Sequence, residues 1–335
     1  MKGIFFAFIS ILVITLLIPL FIISSCEMQA PQRHDGVREE IRESDLIIHV
    51  FNHETKEIME LYLEEYITQV LVAEMPASFE MEALKAQAVA ARTYAIWRES
   101  THGKAGHPSH PGASVCTSHA HCQEWLSMEE IQNRHGKAWM ENYWDKIQEA
   151  VESTTGIIMT YNMQPIEPLY HSTSGGKTEN SEDVFASAQP YLRSVSSPYE
   201  ERSPVLVDQK KITMDAFING LRSRDRDFTI DRRNAASQIN ILEKNQGGSI
   251  SKIQIGNKTF TGSQIRQTFD LRSSDFTITV SGNTVTFSTR GYGHGVGMSQ
   301  WGANGMAEQG SDFQEILKHY YQGVTFSKLT SNRSE

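Results

Sequence analysis

Cysteine is scarce: three in 335 residues, too few for a disulfide-built scaffold. Positive charge is short as well. Lys and Arg total 31 against 40 Asp and Glu, a net charge of −9. Residues 1–26 hold one basic residue, Lys2, and no acidic one, so the remainder carries about −10. Such a chain repels phosphates, which excludes generic binding to nucleic acid or to an anionic membrane surface. No internal repeat is present. The glycine-rich stretch near the C-terminus lacks the Lys-Ser/Thr ending of a phosphate-binding loop. Hydrophobic residues make up 39% and charged residues 21%, which supports a packed core and argues against wholesale disorder.

The N-terminus is the opposite of scarce in apolar residues. Ile4 to Ile23 is a run of 20 residues interrupted only by Ser10, Thr15 and Pro19, long enough to cross a bilayer. Lys2 keeps the short leading side in the cytoplasm. The run exceeds the ~7–15 apolar residues of a cleavable signal, so an uncleaved signal anchor over 1–26, one transmembrane helix, is expected. A lipoprotein signal ending Ile23-Ser24-Ser25-Cys26 and a plain cleaved signal are the alternatives. All three place the rest of the chain outside the cytoplasm, at a membrane. Residues 27–45 are polar and charged and read as a tether. A single extracytoplasmic domain over 46–330 follows.

Within that domain the pattern is mixed. Leu46–Phe51 and Glu57–Leu61 read as two strands around a turn. Leu63, Tyr66, Ile67, Val70 and Leu71 recur at helical spacing, and Met75-Pro76 ends that helix. Ser78 can cap a second helix running from Phe79 to about Glu99. Residues 102–125 form an insertion rich in Gly, Pro, His and Cys. One helix is expected over Met128–Thr154, then a hairpin of Ile157–Tyr161 with Ile166–His171. Residues 190–250 carry no legible period. Phe276–Val280 and Thr284–Ser288 alternate around Ser281-Gly282-Asn283, a hairpin, and a last helix covers Asp312–Tyr320. Helices and antiparallel strands without regular alternation predict an α+β fold.

Glu74 is the most informative side chain. It extends the apolar stripe of the first helix, where desolvation favours the protonated acid, and it sits at the helix C-terminus, where the dipole acts in the same direction. A carboxyl group protonated at neutral pH is what glycosidic-bond protonation requires. A solvated Glu near a helix end is the plainer alternative. Lys85 and Arg92, seven apart, share one face of the second helix. That face either meets an anionic or carbonyl-bearing ligand or is solvated, with Glu82 and Glu99 as partners.

Three blocks resemble one family. They are Leu71-Val72-Ala73-Glu74-Met75-Pro76-Ala77-Ser78-Phe79 with Glu82 through Ala95, Tyr170 through Glu179, and Arg290 through Ala303. Their order and content are similar to stage II sporulation protein D and its amidase-enhancer relatives. The resemblance implies a peptidoglycan lytic transglycosylase that leaves 1,6-anhydro muramic ends. It implies Glu74 as the catalytic acid and Lys85, Gln87 and Arg92 as substrate-binding groups. It also implies action on strands stripped of stem peptides, beside the amidase stage II sporulation protein P and stage II sporulation protein M, during engulfment of the forespore. Tyr170, His171, Ser174, His294 and Gln300 are candidates for walls of a glycan-binding cleft. The glycine-rich block that holds His294 and Gln300 could equally be a tight structural crossing.

The insertion offers a metal site. His110 through Cys122 supplies two Cys and three His in 13 residues, a donor mixture that suits tetrahedral Zn2+. The spacing of His110, Cys116, His121 and Cys122 resembles the zinc ligands of some family members, with His107 and His119 as spares. Four protein ligands would close the site and make the zinc structural. A Cys116–Cys122 disulfide and merely solvated histidines are the alternatives.

Overall fold

The computed structural model describes residues 46–329. The anchor expected over 1–26, the tether over 27–45 and Cys26 lie outside the described residues. Among the described residues no helix is long and apolar enough to cross a membrane.

The expected α+β mixture is what forms. Strands Ile47–Phe51 and Ile58–Tyr62 pair antiparallel, and Val115–Cys116 joins the first of them in parallel. The chain then enters helix α1, Leu63–Glu74, and helix α2, Met81–His102. Helix α2 is the axis of the larger core. Ala83, Leu84, Ala86, Ala88, Val89, Ala90 and Ala91 are all buried there, so the helix is covered nearly all round, as its run of small residues allows. Its N-cap is Glu80, without a side-chain cap, rather than Ser78.

The helix expected over Met128–Thr154 is two: α3, Met128–His135, and α4, Lys137–Glu152. Gly136 divides them at φ +78°, a left-handed conformation open to glycine at no steric cost. The hairpin expected after α4 also differs. Asn162 and Met163 take positive φ, and the two-residue turn returns the chain only as Gln164–Pro165. Tyr170–His171 instead lies parallel to Met298–Ser299. The other edge of Ile157–Tyr161 is taken by Thr325–Lys328.

A second, smaller core joins part of the stretch that carried no readable period to the expected hairpin of Phe276–Val280 with Thr284–Ser288, which forms. Strands Val207–Thr213, Thr284–Arg290 and Phe276–Ser281 form one antiparallel sheet, and Ile239–Lys244, Ile250–Ile255 and Lys258–Phe260 another. Phe217, Phe228, Ile253, Ile265, Phe276 and Phe287 pack between them.

Arg92 corrects a sequence expectation. Its side chain is 0% exposed and is not at the cleft. The guanidinium grips the Glu64 carboxylate of α1 with Nε at 2.9 Å and Nη2 at 2.6 Å. It also donates to the Ile157 and Val151 carbonyls at 3.2 and 3.4 Å. Glu64 in turn accepts the Gly156 N–H at 3.0 Å. One ion pair thus locks α1, α2 and the turn after α4. Breaking a buried pair from one side strands the other charge, at a cost of about 3–5 kcal/mol. Glu64 keeps some contact with water, at 24% exposed, so Arg92→Ala should lower unfolding stability by somewhat less, about 2–3 kcal/mol, in a denaturant titration. A loss under about 1 kcal/mol would mean that the pair carries no such weight.

Candidate functional site

Glu74 closes α1 and faces a cleft of about 990 Å³. Its walls include the α1–α2 turn, Cys122–Glu124, Pro168–Ser172, Tyr292–His294 and Gln300–Trp301. Glu74 is half-buried. One carboxylate oxygen accepts the Glu124 N–H at 2.8 Å. Burial raises its pKa to about 7, with that backbone hydrogen bond pulling the other way. The last carbonyl of the helix, that of Glu74 itself, accepts from the Gln300 side-chain amide at 3.0 Å. Gln300 therefore caps the helix that carries the acid.

Tyr170, His171 and His294 line the same cleft. The Tyr170 hydroxyl donates to Gln123 Oε1 at 3.0 Å. His171 is buried, and its Nδ1 lies 3.2 Å from the Val296 carbonyl, which can only accept. Nδ1 is then the protonated nitrogen, and Nε2 is left as a buried acceptor with no protein partner. His294 has the reverse arrangement: its Nδ1 accepts the Val296 N–H at 3.1 Å. Burial lowers both rings, to about 3 and about 4. They serve the cleft as neutral hydrogen-bonding groups, not as cations.

The other expected substrate residues are not among the groups lining the cleft. Lys85 pairs with Glu82 at 2.8 Å, as an ordinary helix face would. Gln87 is fully buried and touches the site only through Gln300, 3.5 Å from its amide. Ser174 is buried as a loop brace, its N–H donating to Ser299 Oγ at 3.2 Å and its hydroxyl accepting from Gly176. In their place stand side chains that the sequence reading did not single out as functional. Glu124, tied to Arg134 at 3.0 Å, and Arg266 both reach the cleft. So do Trp139 and Tyr143 of α4, whose rings lie 5.8 Å apart. The spacing of four between Trp139 and Tyr143 was visible, but it equally describes a core-facing helix.

The insertion brings His110, Cys116, His121 and Cys122 together, one donor atom from each within 4.8 Å of all the others. His121 Nδ1 lies 3.5 Å from Cys116 Sγ, 3.4 Å from Cys122 Sγ and 3.4 Å from His110 Nε2. A tetrahedron with bonds of about 2.0–2.3 Å has edges of about 3.3–3.8 Å, so these donors fit a metal ion. His110 Nδ1 is engaged by the Ala113 carbonyl at 2.7 Å, which turns Nε2 toward the group. Cys116 and Cys122 are free thiols, not a disulfide. His107 packs tilted against the His110 ring and edge-on to that of His121, while His119 lines the cleft. Cys122 is followed directly by Gln123 and Glu124, the residues that hold Tyr170 and Glu74.

Two outcomes follow from this geometry. The fold favours the neutral Glu74 acid. That contribution is complete below pH 4.5, the unfolded value, and is lost as pH rises through about 7. Glu74→Gln should match wild type in thermal stability near pH 4.5 and exceed it above pH 7. A melting-temperature difference that stays flat across that range would contradict the raised pKa. Second, the purified 27–335 fragment, which lacks Cys26, should hold about one metal ion per chain, released with two titratable thiols on denaturation. Cys122→Ser should lose that ion, and metal analysis showing no difference from wild type would disprove the ligand set.

The family model described as SpoIID, stage II sporulation protein, matches residues 51–161. Stage II sporulation protein D of Bacillus subtilis is 38% identical over 290 residues, covering 87% of this chain and 81% of the relative. The Bacillus amyloliquefaciens protein of the same name is 37% identical, covering 88% and 83%. A more distant relative, the amidase enhancer of Bacillus subtilis, is 28% identical over 77% of this chain and 40% of its own length. The identities at near-complete coverage, with the three signature blocks converging on one cleft, make this chain a member of the stage II sporulation protein D family.

Proposed function

We propose that the chain is a lytic transglycosylase that cuts the muramic acid–glucosamine bond of peptidoglycan strands, with Glu74 as its single acid and base. The observation that carries this reading is a half-buried carboxyl group on an open cleft, poised near neutrality. The cleft's second carboxylate, Glu124, is committed to Arg134, whereas a two-carboxylate hydrolase needs both groups at the bond. Protonated Glu74 gives its proton to the bridging oxygen as the bond from the muramic C1 breaks. The muramic 6-hydroxyl attacks C1 and returns its proton to the Glu74 carboxylate. A 1,6-anhydro ring closes, water takes no part, and the acid is regenerated. The Glu124 N–H orients the carboxylate, and His171 Nε2 offers an acceptor to a sugar hydroxyl or N-acetyl N–H.

Zinc is the ion we assign to His110, Cys116, His121 and Cys122. With four protein ligands it would order the insertion rather than activate water. The apolar N-terminal run would hold the domain at the outer face of a membrane. The substrate would be strands stripped of stem peptides in the septal wall, with the amidase stage II sporulation protein P and stage II sporulation protein M as co-workers in engulfment. The similarity to an amidase enhancer supports a second reading, a wall-binding activator of an amidase. Product chemistry separates them, because only the enzyme yields anhydro ends.

Glu74→Gln keeps the shape and removes the proton donor. Mass analysis of products from stripped strands should show release of anhydro ends reduced at least about 10²-fold. Near-normal turnover would move the chemistry to another carboxylate, and an absence of anhydro ends from wild type would favour the activator.

A further inference from the structure

The stretch Leu206–Arg290 is basic within an acidic chain. It holds 13 Lys and Arg against 8 Asp and Glu, a balance of +5 in a chain of −9, which leaves −14 for the rest. Six of these cations are paired within the lobe: Lys210, Arg232, Lys244, Lys252, Lys258 and Arg272. Arg266 is not, and it is the residue of this group that lines the cleft, beside Tyr292 and His294. It projects from helix Gly262–Thr268. Its Nε donates to the Leu271 carbonyl at 3.2 Å, which fixes the plane of the guanidinium. Among the described residues neither Nη has a carboxylate partner. The cleft's other arginine, Arg134, has both Nη atoms on Glu124 at 3.0 Å. Arg266 is half-buried, and burial pulls its pKa below the usual arginine value. Arg272, which is paired with Asp208, lies over the Tyr292 ring at 5.4 Å and helps hold that lip.

A partly desolvated, oriented guanidinium without a counter-ion is a site for a carboxylate, which it can grip with two parallel hydrogen bonds. On the muramic sugar itself, as distinct from its stem peptide, such a group exists only in one state. While a stem peptide is attached, the lactyl side arm of each muramic residue ends in a neutral amide. After the peptide is removed it ends in a carboxylate. We propose that Arg266 binds this lactyl carboxylate and so selects stripped strands over peptide-bearing ones. The assignment rests on the glycan-cleaving reading above and gives it a specificity determinant.

The test uses full-length protein carrying Glu74→Gln, so that strands are bound but not cut. Two probes of equal length are titrated: stripped strands with free lactyl carboxylates, and the same strands with those carboxylates converted to methylamides. The free-carboxylate strands should bind about tenfold tighter, by a margin that shrinks with added salt. Adding Arg266→Gln should lower their affinity to that of the methylamide strands. Arg266→Lys, which keeps the charge but not the planar fork, should retain a preference of about threefold or less. It carries the test if the glutamine variant unfolds. A preference that persists undiminished in either Arg266 variant, or equal binding of both probes by the parent, overturns the assignment. The catalytic reading fails independently, through the product ends released by the wild-type protein. Binding of neither probe would overturn both.

Discussion

The buried pair of Arg92 and Glu64 is the constraint on which the placement of the catalytic candidate depends. A guanidinium with no access to water has to be neutralised, and here the neutralising carboxylate comes from the first turn of α1. Glu74 ends that same helix, ten residues on. Fixing the start of a rigid twelve-residue helix against α2 and against the turn at Gly156 fixes where its end points. The opposite end is held by a neutral device, the Gln300 amide on the final carbonyl. Charge at one end and an amide at the other leave the Glu74 side chain as the group on this helix free to titrate near neutral pH.

Much of this was legible in the chain itself, for a physical reason. The apolar stripe that includes Ile67 and Val70 has the helical period, and Glu74 continues it, so its partial burial could be read from spacing alone. The Phe276–Ser281 hairpin was legible because alternation and a turn triplet agree. Arg92 was misplaced because helical spacing says which residues share a face and nothing about what covers it. Helix α2 is covered on almost every side, and the acid that meets Arg92 lies on another helix, 28 residues back. The break at Gly136 and the short hairpin at Asn162-Met163 depend on single positive-φ positions, which periodicity does not register.

The cleft was harder to foresee than its acid. Glu124 reaches Glu74 through a backbone N–H, which any residue could have supplied, so no side-chain pattern announces it. Trp139 and Tyr143 are spaced as core residues would be. Arg266 lies on a seven-residue helix, Gly262–Thr268, too short for a period to show which face meets the cleft. The metal ligands are the contrary case. Their donor types are rare and close in sequence, so composition pointed to the insertion, the family resemblance singled out the four, and the structure brings the same four together with only small loops.

The Gln300 cap spans 226 residues of chain, and the strand beside it, Met298–Ser299, pairs with Tyr170–His171, 128 residues back. Contacts of such separation form late, because the loop they close must first be gathered. A chain synthesised N-terminus first presents Glu74 well before Gln300 exists. Its carboxyl would then sit on an uncapped helix end, without the far wall of the cleft. Completion of the polypeptide is thus a built-in timer: the acid acquires its capped helix end and the far wall of its cleft only when synthesis is nearly over, so an unfinished chain carries the residue without its setting.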